Sequence, residues 1–419
     1  LHRTTSKAQR MYVLFIFLNE YDEFYMIKDE LGFAANSVFA ESSNIDSINK
    51  IYTKNGLMSF LKNLNQNIDN MLNTESWLLE SIDNLTKENK NMLIINILRM
   101  HLVKYQNKWE NLLMNLAPKQ YASKESMLNE LDVLSKKDNP ILALIRVVST
   151  NTNLNDPLLL REAYNTALNA SEIKTHFTNI ANYFSAYHKI AQQDSLLSAG
   201  ALAVGLNINN DEKIMETIST DVKNIQSKII DFRTSNTQSI DSKITYALNG
   251  EKEQDDPFAT FANDIKKLPS AIEKYYATLY TYAWNLIELQ GIDLFNVVWV
   301  NEVWTPFMND IAPFYPFNSS SMNNLSIDSL KGFFGHTGTL NKFYNKYLSA
   351  VLSKKADTYI LNTQFGTKIN FSKNFLDFMR DAKKFSDLLF DSNDNIKFNF
   401  TLQSLDLSSD FSFVELQYN

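Results

Sequence analysis

The sequence predicts a mainly α fold: consecutive helical bundle domains in an elongated arrangement, ending on the start of a C-terminal β domain. Three observations carry this. Apolar residues recur at spacings of three and four along most of the 419 residues. Pro and Gly punctuate those stripes where helices start and stop. The period changes to two only after Ile396.

Leu98, Leu102, Tyr105, Trp109, Leu112 and Leu116 form one stripe, which Pro118 ends. Asp138-Asn139-Pro140 opens the next helix, with a capping side chain followed by a proline at an early helical position, where its missing N–H costs nothing. Its buried stripe is Ile141, Leu144, Ile145 and Val148. Further stripes are Ile173, Phe177, Ile180, Phe184 and Tyr187, then Ile214, Ile218, Ile225 and Ile229. Asp256-Pro257 repeats the cap-then-proline start ahead of Phe258, Phe261, Ile265 and Leu268.

The cleanest stripe follows Pro269: Ile272, Tyr275, Leu279, Tyr282, Leu286 and Leu289, with Gly291 expected as a left-handed cap. A separate helix is expected from Asp293 through Val300, Trp304, Phe307 and Ile311. Shorter helices follow Ser326 and Thr339, and Ser372 caps the last, through Phe375, Phe378, Ala382, Phe385 and Leu389. Ile396, Phe398, Phe400 and Leu402 then alternate with polar residues as a half-buried strand. A second strand starts at Phe411 and Phe413 and continues on the other parity through Val414, Leu416 and Tyr418. Two strands alone are marginal in water, so a truncated β domain is expected here.

These punctuation marks divide the chain into helical domains over 1–155, 156–255 and 256–390, and a β beginning over 391–419. The polar segment from Ser235 to Asp255 is the expected linker.

Composition narrows function by exclusion. The net charge of -7 carries no clustered basic face of the kind nucleic acid requires. The absence of cysteine removes disulfides, zinc thiolates and Cys nucleophiles together. No stretch approaches the ~18 consecutive apolar residues of a membrane-spanning helix. No signal-peptide pattern stands at Leu1, and the chain reads as a piece whose membrane or targeting segments lie elsewhere.

Phosphate chemistry has one place to look, the segment from Gly332 to Thr339, which holds Gly335 and Gly338. It can be read as an anion-cradling nest. It contains no Lys, which favours a plainer reading: a helix stop at Gly335, a turn, and a Thr339 cap. His2, His101, His176, His188 and His336 show no metal-ligand spacing. No nucleophile elbow is present. Asp255-Asp256 reads as a helix N-terminus, where negative charge meets the dipole. The aromatic stripes read as core, although Tyr275, Tyr276, Tyr280 and Tyr282 lie on more than one face of their helix. No catalytic residue, cofactor or metal is expected.

Several local patterns stand in a fixed order. Trp299, Val303 and Ile311 lead to Tyr315-Pro316-Phe317, then to Asp328, Leu330, Phe333-Phe334-Gly335, Gly338, Leu340 and Phe343. Upstream stand Tyr52-Thr53 with Gly56, Trp77-Leu78-Leu79, Tyr105 with Trp109, Leu134-Ser135, Asn139-Pro140-Ile141 and Thr152-Asn153-Leu154. Phe398, Phe400, Leu402 and Leu405 close the series. In order and spacing the chain resembles the IcmF/TssM family, inner-membrane scaffolds of type VI secretion systems. The resemblance covers nearly the whole chain. Glu80 stands where the family favours Gly, Asn139 where it favours Ser, and Ser404 where Pro is usual. With these departures the chain resembles a divergent, PdpB-like branch of that family.

The resemblance implies a periplasmic segment of an inner-membrane-anchored protein. It implies self-association, an outer-membrane lipoprotein partner (TssJ-like) and an inner-membrane partner (TssL-like), with no nucleic acid or small-molecule substrate. Trp299, Tyr315, Pro316, Phe317, Gly335 and Gly338 are the expected structural signature. Phe411, Phe413, Leu416 and Tyr418 are the interface candidates, because an incomplete sheet offers unpaired edge groups. Partner contacts are expected mainly from Asp256 onward. An unrelated helical adaptor and a helical enzyme without a recognisable motif are the competing readings.

Overall fold

The structure is a computed structural model that describes residues 7–18, 23–74, 86–121, 123–167, 171–198, 213–233, 239–250, 253–355, 358–361 and 371–397. In chain order the helices are α1 (Lys7–Leu18), α2 (Ile27–Leu31), α3 (Ala35–Val38), α4 (Lys54–Thr74), α5 (Lys87–Met114) and α6 (Lys124–Leu134). Next come α7 (Pro140–Thr152), α8 (Pro157–Thr166), α9 (Ser171–Tyr183), α10 (Ser185–Ser198), α11 (Ile214–Arg233) and α12 (Ile240–Asn249). The last are α13 (Pro257–Asp264), α14 (Ser270–Trp299), α15 (Thr305–Asp310), α16 (Ile327–Phe334), α17 (Thr339–Phe343) and α18 (Lys373–Leu389). Two small antiparallel hairpins accompany them: β1 (Phe24–Met26) with β2 (Ser47–Asn49), and β3 (Leu352–Lys355) with β4 (Thr358–Leu361). The fold is mainly α, as the apolar periodicity predicts.

The chain forms two compact units. The first comprises Leu1–Asn236 and Lys252–Ile287, and the second Thr237–Glu251 and Glu288–Asn419. This division differs from the boundaries expected at 155, 255 and 390, since residues 252–287 group with the first unit.

In the first unit α1 packs on α5, α4 on α8, α10 on α7, and α11 on both α6 and α13. The expected caps are present. Asn139 accepts the N–H groups of Ile141 and Leu142, and Asp256 accepts that of Phe258. The stripe from Ile173 to Tyr187 is divided at Phe184 into α9 and α10, so His176 and His188 stand on different helices.

The upstream signature residues meet in this unit. The buried Trp109 donates its indole N–H to the Tyr52 carbonyl at 2.8 Å. Tyr105 donates to the Asn151 carbonyl at 2.5 Å, and the Asn151 side chain accepts the Lys54 N–H at 3.1 Å. Thr53 caps α4 by accepting the Gly56 N–H at 3.0 Å. A Cβ on Gly56 would lie 1.9 Å from the Lys50 carbonyl oxygen, so this position requires glycine. Trp77-Leu78-Leu79 and Glu80 lie outside the described residues.

The second unit is built around aromatic rings on the C-terminal part of α14. That helix does not stop at Gly291. It runs to Trp299, continues through a π-helical turn (Val300–Trp304) and passes into α15. The expected cap at Gly291 and the separate helix from Asp293 are therefore corrected. Helix α12 explains the glycine: a Cβ at Gly291 would lie 2.1 Å from the Ala247 Cβ. The glycine serves close packing rather than termination.

Helix α12 is itself a correction to the linker expected over Ser235 to Asp255. Ser239 caps it, Gly250 ends it in the left-handed region, and Ile244, Ala247 and Leu248 are buried. Ile244 and Leu248 join the buried core of the second unit, where α12 packs on the π-helical turn Tyr344–Leu348 and Ala247 meets Gly291 of α14. At the C-terminal end of the described chain, Phe390 and Ile396 form an antiparallel bridge. The strands expected beyond it, with Phe411, Phe413, Leu416 and Tyr418, lie outside the described residues.

The α12–α14 packing predicts the behaviour of Gly291→Ala. Helix propensity alone would favour alanine by about 1 kcal/mol. Overpacking against Ala247 costs roughly 1–3 kcal/mol and outweighs it. Urea unfolding should show a lower midpoint for Gly291→Ala, and the double variant Gly291→Ala/Ala247→Gly should recover most of the loss.

Candidate interaction site of the second unit

Trp299 sits half-buried, its ring edge-on to Phe343 at 5.2 Å and to Phe375 at 5.0 Å. Phe307, eight residues further along the same helical run, reaches Phe333 at 5.5 Å and Phe317 at 6.0 Å. Phe317 stacks on Phe334 at 5.7 Å with an interplanar angle of 8°. The Tyr315-Pro316 bond is cis. The loop that follows is tied at its neck, where Tyr315 N–H donates to Asn323 O at 3.0 Å and Leu325 N–H donates to Tyr315 O at 2.9 Å. Trp299 and Phe317 thus join one aromatic network, while Tyr315 is 53% exposed.

A cleft of about 510 Å³ opens beside this network. Phe295, Trp299, Trp304, Phe371, Phe375 and Phe378 line it with Leu248 and Ile292, and its polar edge is Asn296, Ser372 and Asn374. None of these residues is charged. Its rings favour apolar or aromatic side chains, with three neutral polar groups for orientation.

Gly335 and Gly338 frame a second feature. Helix α16 ends at Gly335 as expected, but Gly338, not Thr339, occupies the cap position of α17. Thr339 instead donates its hydroxyl to the Gly332 carbonyl at 3.3 Å. The loop between them does cradle an anion, and the anion is the protein's own. The Asp394 carboxylate accepts the His336 N–H at 2.5 Å, the Thr337 N–H at 3.0 Å and the Thr337 hydroxyl at 2.6 Å. A Cβ on Gly335 would stand 3.2 Å from that carboxylate and 2.6 Å from the Lys331 carbonyl oxygen.

A tight turn delivers Asp394. Asp391 accepts the N–H groups of Asn393 and Asn395, and Asp394 adopts a left-handed φ of 61°. The Thr337 hydroxyl first, then the two backbone N–H groups, hold the Asp394 carboxyl below the usual carboxylate range. Glycine content hinted at this nest. No local signal pointed to Asp394, which lies 57 residues from Thr337.

Among the described residues no group of three or more His, Asp or Glu could hold a metal ion. Among them, too, no helix is long and apolar enough to cross a membrane. The titratable groups buried in the first unit are core. His101 stacks between Tyr52 and Phe60, its Nδ1 lies 3.1 Å from the Tyr12 hydroxyl, and burial pushes its pKa down to about 3. Burial raises the Glu130 carboxyl to about 8, opposed by the hydroxyls of Tyr121 and Tyr275 and by the Lys119 ammonium. Burial, reinforced by Asp264, raises the Asp221 carboxyl as well.

Comparison with known proteins follows the same division. The family described as "IcmF-related: Intracellular multiplication and human macrophage-killing" matches residues 4–153. The family described as "Type VI secretion protein IcmF helical domain" matches residues 292–395. Together the matches cover well over half of the chain. The chain belongs to the IcmF family of type VI secretion proteins.

No curated protein sequence matches it. Two solved structures share its fold. One, described as a type VI secretion system membrane core complex, aligns over 94% of this chain and 72% of its own, with a TM-score of 0.64 and 14% identity. Another, described as a type VI membrane complex, aligns over 93% and 69%, with a TM-score of 0.59 and 12% identity. The IcmF helical domain match opens one residue after Gly291 and closes one residue after Asp394. Both close-contact features of the second unit therefore stand at its limits.

Two pH-dependent outcomes follow. Asp394 stabilises the second unit as an anion, so its contribution is present above the unfolded value near 4 and is lost as pH falls through the lower folded value. At neutral pH, Asp394→Ala should cost about 1.5–3 kcal/mol and speed amide exchange at His336 and Thr337. Unchanged exchange at both amides would show that Asp394 does not hold this loop.

Glu130 runs the other way. Its folded pKa of about 8 lies above the unfolded value, so its proton stabilises the first unit at low pH, and that stability is lost as pH rises through about 8. Unfolding followed from pH 5 to pH 9 should show Glu130→Gln gaining on the parent by at most about 1.4 kcal/mol per pH unit.

Proposed function

We propose that this chain is a structural scaffold segment of a type VI secretion membrane complex. The observation that carries the reading is the pairing of two IcmF domain matches in one chain, at residues 4–153 and 292–395. The fold shared with membrane-complex structures over 94% of the chain supports it. Neither the adaptor nor the enzyme reading draws support from these comparisons.

In finer terms, the segment works in the periplasm, on a protein anchored in the inner membrane. It contacts copies of itself, a TssL-like inner-membrane protein and a TssJ-like outer-membrane lipoprotein. The physical side of this reading is simple. Buried rings and satisfied caps hold helices in fixed positions, which suits a part whose work is to keep partners at set distances. The signature residues Trp299, Phe317, Gly335 and Gly338 act by shaping the second unit, and Tyr315 and Pro316 by shaping its exposed loop.

The test is purification of the intact, tagged protein from native envelopes. An inner-membrane protein and an outer-membrane lipoprotein should accompany it in fixed ratio. A preparation that holds neither would overturn the reading.

A further inference from the structure

The helical run from Leu289 to Met308 is apolar on more than the side that faces its own unit. Phe295, Val298 and Val303 are buried. Yet Leu289 (58% exposed), Val297 (55%), Val300 (44%), Trp304 (47%) and Met308 (45%) point to solvent. Their steps of eight, three, four and four place them on one face, with the exposed Asp293 midway between the first two. A helix apolar all round belongs inside a protein, so this face calls for a cover. The loop after α15 extends the theme with the fully exposed Met322 at its tip. The loop is held in shape by the Ser321 hydroxyl, which donates to the Asn323 carbonyl at 3.1 Å.

Charge says what covers it. From Tyr275 to Leu330 the sequence contains no Lys, Arg or His, and five acidic residues. Four of them, Asp293, Glu302, Asp310 and Asp328, are exposed, and none forms an ion pair among the described residues. Two copies meeting through this same face would set carboxylates against carboxylates. An anionic lipid surface or a nucleic acid would be repelled. The chain's own residues 398–419 carry Asp406, Asp410 and Glu415 and no basic residue, so they are a poor cover too.

We propose that the outer face of Leu289–Met308, with the Met322 loop, docks a different protein whose contact surface sets Lys or Arg residues around exposed apolar side chains. The uncharged cleft at Trp304 takes one of those apolar side chains. The carboxylates select and steer the basic rim, and the buried rings supply the affinity. This rests on reading the chain as part of an assembly, and it names the chemistry of one partner.

The experiment uses the full-length protein in its native cells, with Trp304→p-benzoylphenylalanine or Met322→p-benzoylphenylalanine as the photocrosslinking probe. Tyr183→p-benzoylphenylalanine, exposed in the first unit, is the control. Irradiation should join positions 304 and 322 to a different protein, through a peptide that contains Lys or Arg. The control should not yield that adduct. Adding Glu302→Lys/Asp310→Lys should lower adduct yield on the order of tenfold. Both residues are exposed, and thermal melts of the purified variants check that folding is intact. An adduct with a second copy, an adduct with residues 398–419, no adduct, or a yield insensitive to charge reversal would each overturn the proposal. Co-purification of the complex is measured on the same cells. If the complex persists without an adduct, only this face is wrong. If the parent protein brings down no complex, the assembly reading falls with it.

Discussion

Edge-to-face contact between aromatic rings is the interaction on which the second unit depends. Phe295, Trp299 and Phe307 project from one helical run, and Phe343, Phe371, Phe375, Phe378 and Phe333 close on them from other elements at centroid separations of 5.0–6.3 Å. Each such pair adds about 0.5–1.5 kcal/mol beyond the area it buries. Phe375 and Phe378 come from the 17-residue α18, but the elements that bring Phe343 and Phe333 are short: α17 spans five residues and α16 eight. Helices of that length have little stability of their own. They persist because the rings they carry are buried, so local structure here follows from packing rather than preceding it.

Two close approaches let that packing happen, and each relies on a missing side chain. At Gly291 the absent Cβ admits Ala247 and with it the whole of α12. At Gly335 it admits the Asp394 carboxylate, and with it the turn from Asp391 to Asn395. The first contact is apolar and insensitive to pH. The second is charged, and it ties the last described residues to the α16–α17 loop. A nest of backbone N–H groups binds anions wherever it occurs. Supplying the anion from the same chain turns a ligand-site geometry into a structural one.

The sequence made the helices legible where one residue carries both signals, cap and stripe. Asn139-Pro140, Asp256-Pro257 and Ser372 each place a capping oxygen just ahead of an apolar run, and each opens a helix. It misled where one residue type serves two purposes. Gly291 after a long stripe looks like a terminator, yet the same missing Cβ serves close packing inside a continuing helix. Helix α12 hid because its single short stripe, Ile240, Ile244, Ala247 and Leu248, lies inside an otherwise polar segment. The β3–β4 hairpin hid because four-residue strands are too short to show a period of two. At the site, Gly335 and Gly338 were visible as a candidate nest, while its occupant was not, because tertiary contact leaves no mark on spacing. The upstream motif was visible only as a pattern. Its physical content, Trp109 on the Tyr52 carbonyl and Thr53 on the Gly56 N–H, needed the fold.

The distribution of polar chemistry bears on what this molecule can do. Several polar groups among the described residues are used internally. The Asp394 carboxylate fills the nest, His101 is stacked and neutral, and Glu130 is buried beside the Tyr275 hydroxyl at 3.4 Å. The surface of the second unit shows the opposite economy. Trp304, Met308 and Met322 stand exposed beside carboxylates that no described residue pairs. Burying polar groups inside while leaving apolar groups outside works against the stability of an isolated chain. It is consistent with a chain whose final cover comes from another molecule, because association then buries the apolar face and gives the exposed carboxylates their counter-charges.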